Sequence, residues 1–328
     1  MGEIMTAIRM LLVLAAIAAS ALPLSVHGQA YPDRAVRMIV PDAPGGSPDQ
    51  LGRLVAQKLS DVLGQPVFVD NKPGAAGVLA TEAGAKSAPD GYTVTMVTTA
   101  IYAILPYLNK KLPYDPVKDF IPVSRLATSS NVLVVNASLP VQSVADLVQL
   151  AKSKPGVLNY ASAGVGSPAH LAGEMLNLLA GIKLVHIPYK GSAPALMDVI
   201  GGTAQMMITS PLSASAHMKS GRVRALATTG KERNPVLPEL PTIGETIPGY
   251  EISQSWGLAV PAGTPPAVVA KLSEAIEKVM HDPDTVHKVQ VTGLVPAGDS
   301  PAAFSAFIAK ERERLSEVIA KSGIVMTE

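Results

Sequence analysis

Four short segments of the chain share one composition: APGGSPD (43–49), NKPGAAG (71–77), SAGVGSPAH (162–170) and YKGSAPA (189–195). Each is glycine, alanine, serine and proline placed just before a helical pattern. Glycine has no Cβ, so the backbone can approach a bound group closely. A helix start offers unpaired N–H groups and a partial positive charge, which suit an anion. Taken singly, such a loop is ordinary turn chemistry. With two in each half of the chain, an anion can be held from both sides of a cleft. Nucleotide chemistry is not supported. No G-x-x-x-x-G-K-[ST] occurs, and the G-x-G of AGVGSPAH lacks both the third glycine and an acidic residue on the next strand, KLVHIPY (183–189).

Catalytic constellations are scarce. The chain has no G-x-S-x-G elbow and no H-E-x-x-H. Ser162 and Ser167 stand near His170 without a recognisable orienting acid, which leaves a secreted hydrolase or isomerase as the weaker alternative. His170 lies one turn into a helix and either reaches the site or is a satisfied histidine at a domain surface. His186 lies in a strand and reads as structural. His281 and His287, six apart, do not share a helix face at ligand spacing, so no metal is expected. Asp49 reads as a first-turn carboxylate that orders the loop around a ligand. The absence of cysteine removes thiol catalysis, disulfides, thiolate metal sites and the acylated cysteine of a lipoprotein. No cofactor is expected.

Composition narrows the field further. With 27 basic and 26 acidic residues the net charge is +1, and there is no basic stripe for phosphates and no basic amphipathic helix for a membrane surface. Nucleic acid is therefore not an expected partner. Arg9 precedes an apolar run from Met10 to Ala19 that continues to Leu24 and ends at Gly28-Gln29-Ala30. This reads as a cleaved signal peptide, residues 1–30, with an apolar core shorter than the roughly 18 to 20 residues of a membrane span. The mature chain is expected to be soluble, free of a lipid anchor and monomeric. With 48% hydrophobic residues over all 328, the chain can bury a large core, and its length favours two domains.

The loops are positioned by alternating strands and helices. VRMIVP (36–41), a helix from about 48 to 63, PVFVD (66–70), a helix to about 87 and TVTMVTT (93–99) form one series. NVLVVN (131–136), a helix capped by Ser143, VLNYA (157–161), a helix to about 179, KLVHIPY, a helix to about 200, AQMMITS (204–210) and VRALATT (223–229) form a second. Strands separated by helices of this length read as parallel βαβ units in an open α/β sheet, with ligands at the strand carboxyl ends. The stretch 234–250 reads as an exit loop, followed by an apolar strand WGLAVPAG (256–263). Two helices close the chain, capped at Thr264 and Ser300. In the second, Phe304, Phe307, Ile308, Leu315 and Ile319 form the core face, with the KERER run (310–314) on a solvated face.

The segments YPDRAVRMIVPDAPGGSPDQLGR, VFVDNKPGAAGVLATEAGAKSAPDGYT, YASAGVGSPAHLAGE, VHIPYKGSAPALMDVIGG and SWGLAVPAGTP, in this order, strongly resemble the Bug-type periplasmic substrate-binding proteins of tripartite tricarboxylate transporter systems. The likeness covers essentially the whole mature chain. It implies a type II-like periplasmic binding-protein fold, with two α/β domains joined by two crossing hinge strands. Domain 1 would be 31–130 plus 253–328 and domain 2 would be 131–252. It implies a small carboxylate ligand, held by backbone amides and ordered waters, and membrane transporter subunits as partners. Carried over by position, the ligand-binding residues are Gly45, Gly46, Asp49, Ala75, Ala76, Ser162, Ala163, Gly164, Ser167, His170, Tyr189, Lys190 and Gly191. Thr98 and Thr99 end a strand expected to face the same cleft.

One departure bears on the ligand. Asp42 stands where the family usually has an apolar aromatic. It is expected to point to solvent; turned inward, it favours a ligand with a positive or hydroxylated end over a plain dicarboxylate. Tyr102 and Trp256 supply aromatic surface near the cleft, useful to an aromatic ligand, with core packing the plainer role for Trp256. Dicarboxylates, tricarboxylates, aromatic acids and amino acids all remain open as ligands. A sensor feeding a membrane kinase is an equally compatible use of the same fold.

Overall fold

The apolar run Val36–Val40 forms strand β1, buried at Val36, Met38, Ile39 and Val40, the pattern of a strand covered on both faces. The structure is a computed structural model and describes residues 31–322 together with Gly2 and Met5. The expected signal peptide lies outside the described residues, those two apart. After β1 come β2 (Val67–Asn71), β3 (Thr93–Thr98), β4 (Phe120–Ser130), β5 (Val132–Asn136), β6 (Asn159–Ser162), β7 (Val185–Pro188), β8 (Met206–Thr209), β9 (Val223–Thr228), β10 (Ser253–Pro261) and β11 (Val295–Pro296).

The strands make two sheets within one unit, Arg34–Glu328, ordered β11-β4-β10-β3-β1-β2 and β7-β6-β8-β5-β9. The pairs β1–β2, β1–β3, β6–β7 and β6–β8 are parallel, as the βαβ rhythm implies. Both sheets are nonetheless mixed, which corrects the expectation of simple parallel sheets. β10 runs antiparallel to β3 and β4, and β5 runs antiparallel to β8 and β9. Of these, β4, β5, β9 and β10 lead into or out of the segments that pass between the sheets. Such a strand joins its neighbour without a helical crossover and is free to run the other way.

The passages between sheets lie side by side. Asn131 N–H donates to Thr229 Oγ1 at 2.8 Å, and Thr229 N–H donates to the Asn131 carbonyl at 2.9 Å. Thr229 Oγ1 donates to the Ile252 carbonyl at 2.7 Å, while Ile252 N–H donates to the Thr229 carbonyl at 2.9 Å. Main chain and one threonine hydroxyl thus tie together the outgoing turn at Asn131 and the returning segment at Ile252.

Helices differ from the sequence reading in places. Ser143 caps the helix Val144–Ser153, and Ser300 Oγ accepts from Ala303 N–H at 3.3 Å. Thr264 does not cap. Its hydroxyl donates to the Pro261 carbonyl at 2.7 Å, and Pro265 occupies the cap of Pro266–Met280. The stretch 234–250 holds one helical turn, Ile243–Thr246, closed by a capping box between Thr242 and Glu245. Helix Pro211–Lys219 and helix Pro283–Gln290 are further additions.

The closing helix Pro301–Ser322 buries Phe304, Ile308, Leu315 and Ile319. Its KERER run is not wholly solvated. Glu311 is buried, pairing with Arg314 at 2.9 Å, and Arg312 Nη1 donates to the Tyr102 carbonyl at 2.8 Å. The helix lies against the segment after β3, so these charged side chains reach inward to backbone and to one another. Among the described residues, no helix is long and apolar enough to cross a membrane.

Candidate ligand cleft

The first loop leaves β1 at Pro41 and enters helix Ser47–Leu63, whose cap residue Gly46 has extended backbone and provides no side-chain cap. Asp49 holds this loop. Its carboxylate accepts from Gly45 N–H at 2.8 Å and from Asn71 Nδ2 at 3.0 Å, and pairs with Arg53 at 2.9 Å. Burial works against its ionisation, but hydrogen bonds from Arg53, Gly45 and Asn71 outweigh that and hold the carboxyl below its ordinary value. Asn71 Nδ2 also donates to the Asp42 carbonyl at 3.0 Å, tying the second loop to the first.

The second loop carries four successive positive φ angles: Gly74 (128°), Ala75 (47°), Ala76 (52°) and Gly77 (101°). A left-handed alanine costs about 1–2 kcal/mol, and such strain collects where a loop must present its backbone to a partner. Gly164 of the third loop, at φ 127°, sits against it. A Cβ there would lie 3.3 Å from Ala76 N and 3.3 Å from the Tyr189 carbonyl, so the second, third and fourth loops meet around one glycine.

The third loop is braced from behind. Ser162 is fully buried, accepts from Gly164 N–H at 3.1 Å and shares a 2.6 Å hydrogen bond with His186 Nε2. His170 Nδ1 accepts from Gly166 N–H at 3.2 Å, and Ser167 Oγ accepts from His170 N–H at 3.2 Å, capping helix Pro168–Ala180. The imidazoles of His170 and His186 stack at 4.1 Å, with Tyr160 on the other face of His186 at 4.9 Å. His170 is therefore satisfied but buried, not at a domain surface. Burial pushes His170 down, and burial followed by the neighbouring His170 pushes His186 down to about 3. The serine against a histidine is Ser162 with His186, and neither lines the cleft. Among the described residues, neither imidazole has a carboxylate hydrogen-bond partner. Glu174, the nearby acid, instead accepts from Tyr160 OH at 2.5 Å.

The fourth loop corrects the expectation for Asp42. Its side chain is 4% exposed and turned into the protein, not to solvent. Oδ1 accepts from Ala43 N–H at 2.7 Å and Ser192 N–H at 3.0 Å, and Oδ2 accepts from Ser192 Oγ at 2.6 Å. A carboxylate from the first sheet's loop thus caps helix Ser192–Gly201 of the second sheet. Glycines make the room: a Cβ on Gly46 or on Gly191 would collide with this carboxylate. Burial pushes the Asp42 carboxyl up, and the bonds from Ser192 and Ala43 offset part of that rise. A second bridge joins Ser47 Oγ to Ser213 Oγ at 2.6 Å.

Between the loops lies a cleft of about 60 Å³, room for about four waters. Asp42, Ala76, Thr98, Ala163 and Ser167 of the anticipated residues line it. Ala75, Gly164, Tyr189 and Lys190 line an adjoining hollow, Tyr189 OH donates to Asp198 at 2.6 Å, and the Lys190 side chain is exposed. Thr99 does not face the cleft, since its Oγ1 accepts from Ser255 N–H at 2.9 Å. Tyr102 and Trp256 are core residues, buried in full, with Tyr102 OH bonded to Ser255 Oγ. They offer no aromatic surface to a ligand.

Sequence reasoning missed Ser47, Met207–Ser210 and Gln254 on the cleft wall. Ser210 caps helix Pro211–Lys219 at the end of β8, in an I-T-S-P stretch without glycine. A serine before proline after an apolar run was the available signal. A larger hollow of about 720 Å³, lined by Pro211, Met218, Leu240 and Val291, lies elsewhere and is mainly apolar. The loops and helix starts do not converge on it. Among the described residues, no cluster of three or more His, Cys, Asp or Glu is placed to hold a metal.

Four helix N-termini therefore meet at the small cleft, those starting at Ser47, Pro168, Ser192 and Pro211, and Asp42 is the single ionisable side chain on its wall. Residues 51–324 match the family model described as the tripartite tricarboxylate transporter family receptor. The chain belongs to this receptor family. Solved structures agree in fold and sequence. Rpa4515 of R. palustris with adipate is 35% identical with a TM-score of 0.88, covering 90% of this chain and 99% of that one. The periplasmic binding protein BugD is 31% identical with a TM-score of 0.86, covering 90% and 99%. MatC from Rhodopseudomonas palustris with bound malate is 30% identical with a TM-score of 0.84, covering 88% and 100%. The receptor accordingly has the two-sheet α/β fold of periplasmic solute-binding proteins.

Proposed function

We propose that this receptor captures a small organic acid in the cleft and delivers it to membrane transporter subunits, as a monomeric binding protein of the periplasm with no catalytic turnover. The observation that carries this reading is the convergence of four helix starts on one small cavity between two sheets. Each brings a partial positive charge and N–H donors, and none of the wall residues is a cation. Recognition by main chain suits a carboxylate. Relatives holding adipate and malate support that class. The proposal keeps the division into 31–130 with 253–328 and 131–252, the two lobes closing about the passages at Asn131 and Ile252. It also keeps the loop residues Gly45, Gly46, Asp49, Ala76, Ala163 and Ser167 as those that shape the carboxylate site. A buried Ser162 without an acid behind its histidine argues against hydrolysis.

A thermal-shift panel of aliphatic, aromatic and amino acids tests it. Ligand at a hundred times Kd stabilises the native state by about 2.7 kcal/mol, a readily measured rise in Tm. A rise for at least one carboxylic acid is the expected result. A protein stripped of bound solute by unfolding and refolding that responds to none of them refutes the assignment.

A further inference from the structure

A binding site built from helix starts is expected to keep those starts clear of other anions, yet at one of the four a carboxylate already stands. Asp42 caps Ser192–Gly201 with its own carboxylate, accepting at Oδ1 from Ala43 and Ser192 N–H and at Oδ2 from the Ser192 hydroxyl. All three partners are donors, which favours the ionised carboxylate against the burial that opposes it. Such a group has about four acceptor positions, so Oδ2 retains one. These three bonds hold the side chain in the room that Gly46 and Gly191 leave by lacking a Cβ. Asp49 is a further carboxylate behind the loop, but its charge is paired with Arg53. The cleft thus presents a carboxylate with one open acceptor site, and the starts at Ser47, Pro168 and Pro211, the last two with a serine cap on one N–H each, keep other N–H groups for a ligand carboxylate.

We propose that Asp42 sets the ligand class, admitting acids with a single carboxylate whose far end carries an N–H or O–H donor and rejecting plain dicarboxylates. The proposal rests on the reading of the cleft as a carboxylate site. A second ligand carboxylate in so small a cavity would face Asp42 with little water between, and like charges across a desolvated contact discriminate strongly. A hydroxyl or ammonium at the same place meets the free acceptor of Oδ2. Size offers less discrimination, since a hydroxymethyl or aminomethyl end occupies much the same space as a carboxylate end.

Isothermal titration with length-matched acids separates these cases: succinate against 4-hydroxybutyrate and 4-aminobutyrate, and adipate against 6-hydroxyhexanoate and 6-aminohexanoate. The wild-type receptor is expected to bind a hydroxy or amino acid at least about ten-fold more tightly than the diacid of equal length, with the better of the two arms telling whether the donor is neutral or cationic. Asp42→Asn, which removes the charge at equal size, is expected to erase that preference. Equal or tighter binding of the diacid by the wild type overturns the proposal while leaving the carboxylate reading intact. Failure of every acid to bind either protein overturns both. If Asp42→Asn does not fold, the wild-type ratio decides alone.

Discussion

The substitution Gly46→Ala isolates the contact between the two sheets' loops. At φ −72° and ψ 167° the residue has backbone that alanine adopts freely, so no conformational strain is introduced. The added methyl would lie 2.6 Å from Ser192 Oγ and 2.7 Å from Asp42 Cγ. Relief requires Asp42 and Ser192 to separate by most of an ångström. That stretches the 2.6 Å hydroxyl bond and the 3.0 Å backbone bond that join them. Hydrogen bonds to a charged group contribute about 1.5–3 kcal/mol each, so losing one and weakening the other destabilises this contact between the two sheets' loops by about 2–4 kcal/mol. At 1.4 kcal/mol per factor of ten, affinity for the acid found in the thermal-shift panel falls roughly 30- to 700-fold. On the proposed closure of two lobes, this contact is not made without ligand, and Tm is expected to stay near that of the wild type. Titration calorimetry together with a melt of the unliganded variant measures both. Affinity within three-fold of the wild type, at unchanged Tm, would show that the contact of Asp42 with Ser192 contributes nothing to binding.

Two further outcomes follow from buried groups. His186 is held neutral in the fold at about 3 while the unfolded chain takes up its proton near 6.5, so the unfolded state binds more protons between those values and stability falls as pH drops through that window. His186→Gln should flatten the fall of Tm with acidification, and an unchanged slope would refute the assignment. In β10, a Cβ on Gly257 would meet the Phe304 ring and lie 2.8 Å from the Ser124 carbonyl, so Gly257→Ala should cost about 1–3 kcal/mol by overpacking. Chemical denaturation checks it, and a midpoint equal to the wild type would refute the packing argument.

Much of this molecule is written in local pattern. The runs 36–41, 66–70 and 93–99 alternate with helical stretches, and the glycine-rich loops fall where chain leaves strand for helix, because Gly and Pro mark turns through their own backbone limits. What escaped depends on partners far along the chain. Strand β4 contains Pro122 and ends in Thr128-Ser129-Ser130, a poor strand by composition, and it is held there by β10 and β11. Asp42 looked like a solvated loop carboxylate, and its burial depends on Ser192, distant in sequence and on the other sheet. Thr99 and Tyr102 follow a strand aimed at the cleft, yet Ser255 of the returning segment draws both hydroxyls away. The Ser210 wall of the cleft carries no glycine, so the composition that marks the other loops is absent there.

The position of β10 has a bearing on how the chain matures. It lies between β3 and β4 in the six-stranded sheet, although the whole five-stranded sheet comes between β4 and β10 in sequence. Until residues 253–261 are available, β3 and β4 have no shared neighbour, and Trp256 and Leu258 are missing from the interior. A chain emerging from its N-terminus can therefore complete the five-stranded sheet first, while its leading portion stays an unfinished half that cannot close. Contacts of such long sequence separation form slowly. Final assembly thus waits on the last quarter of the chain, so the leading segment stays pliable through most of synthesis, which is the state a polypeptide needs if it is to be threaded through a narrow pore before it folds.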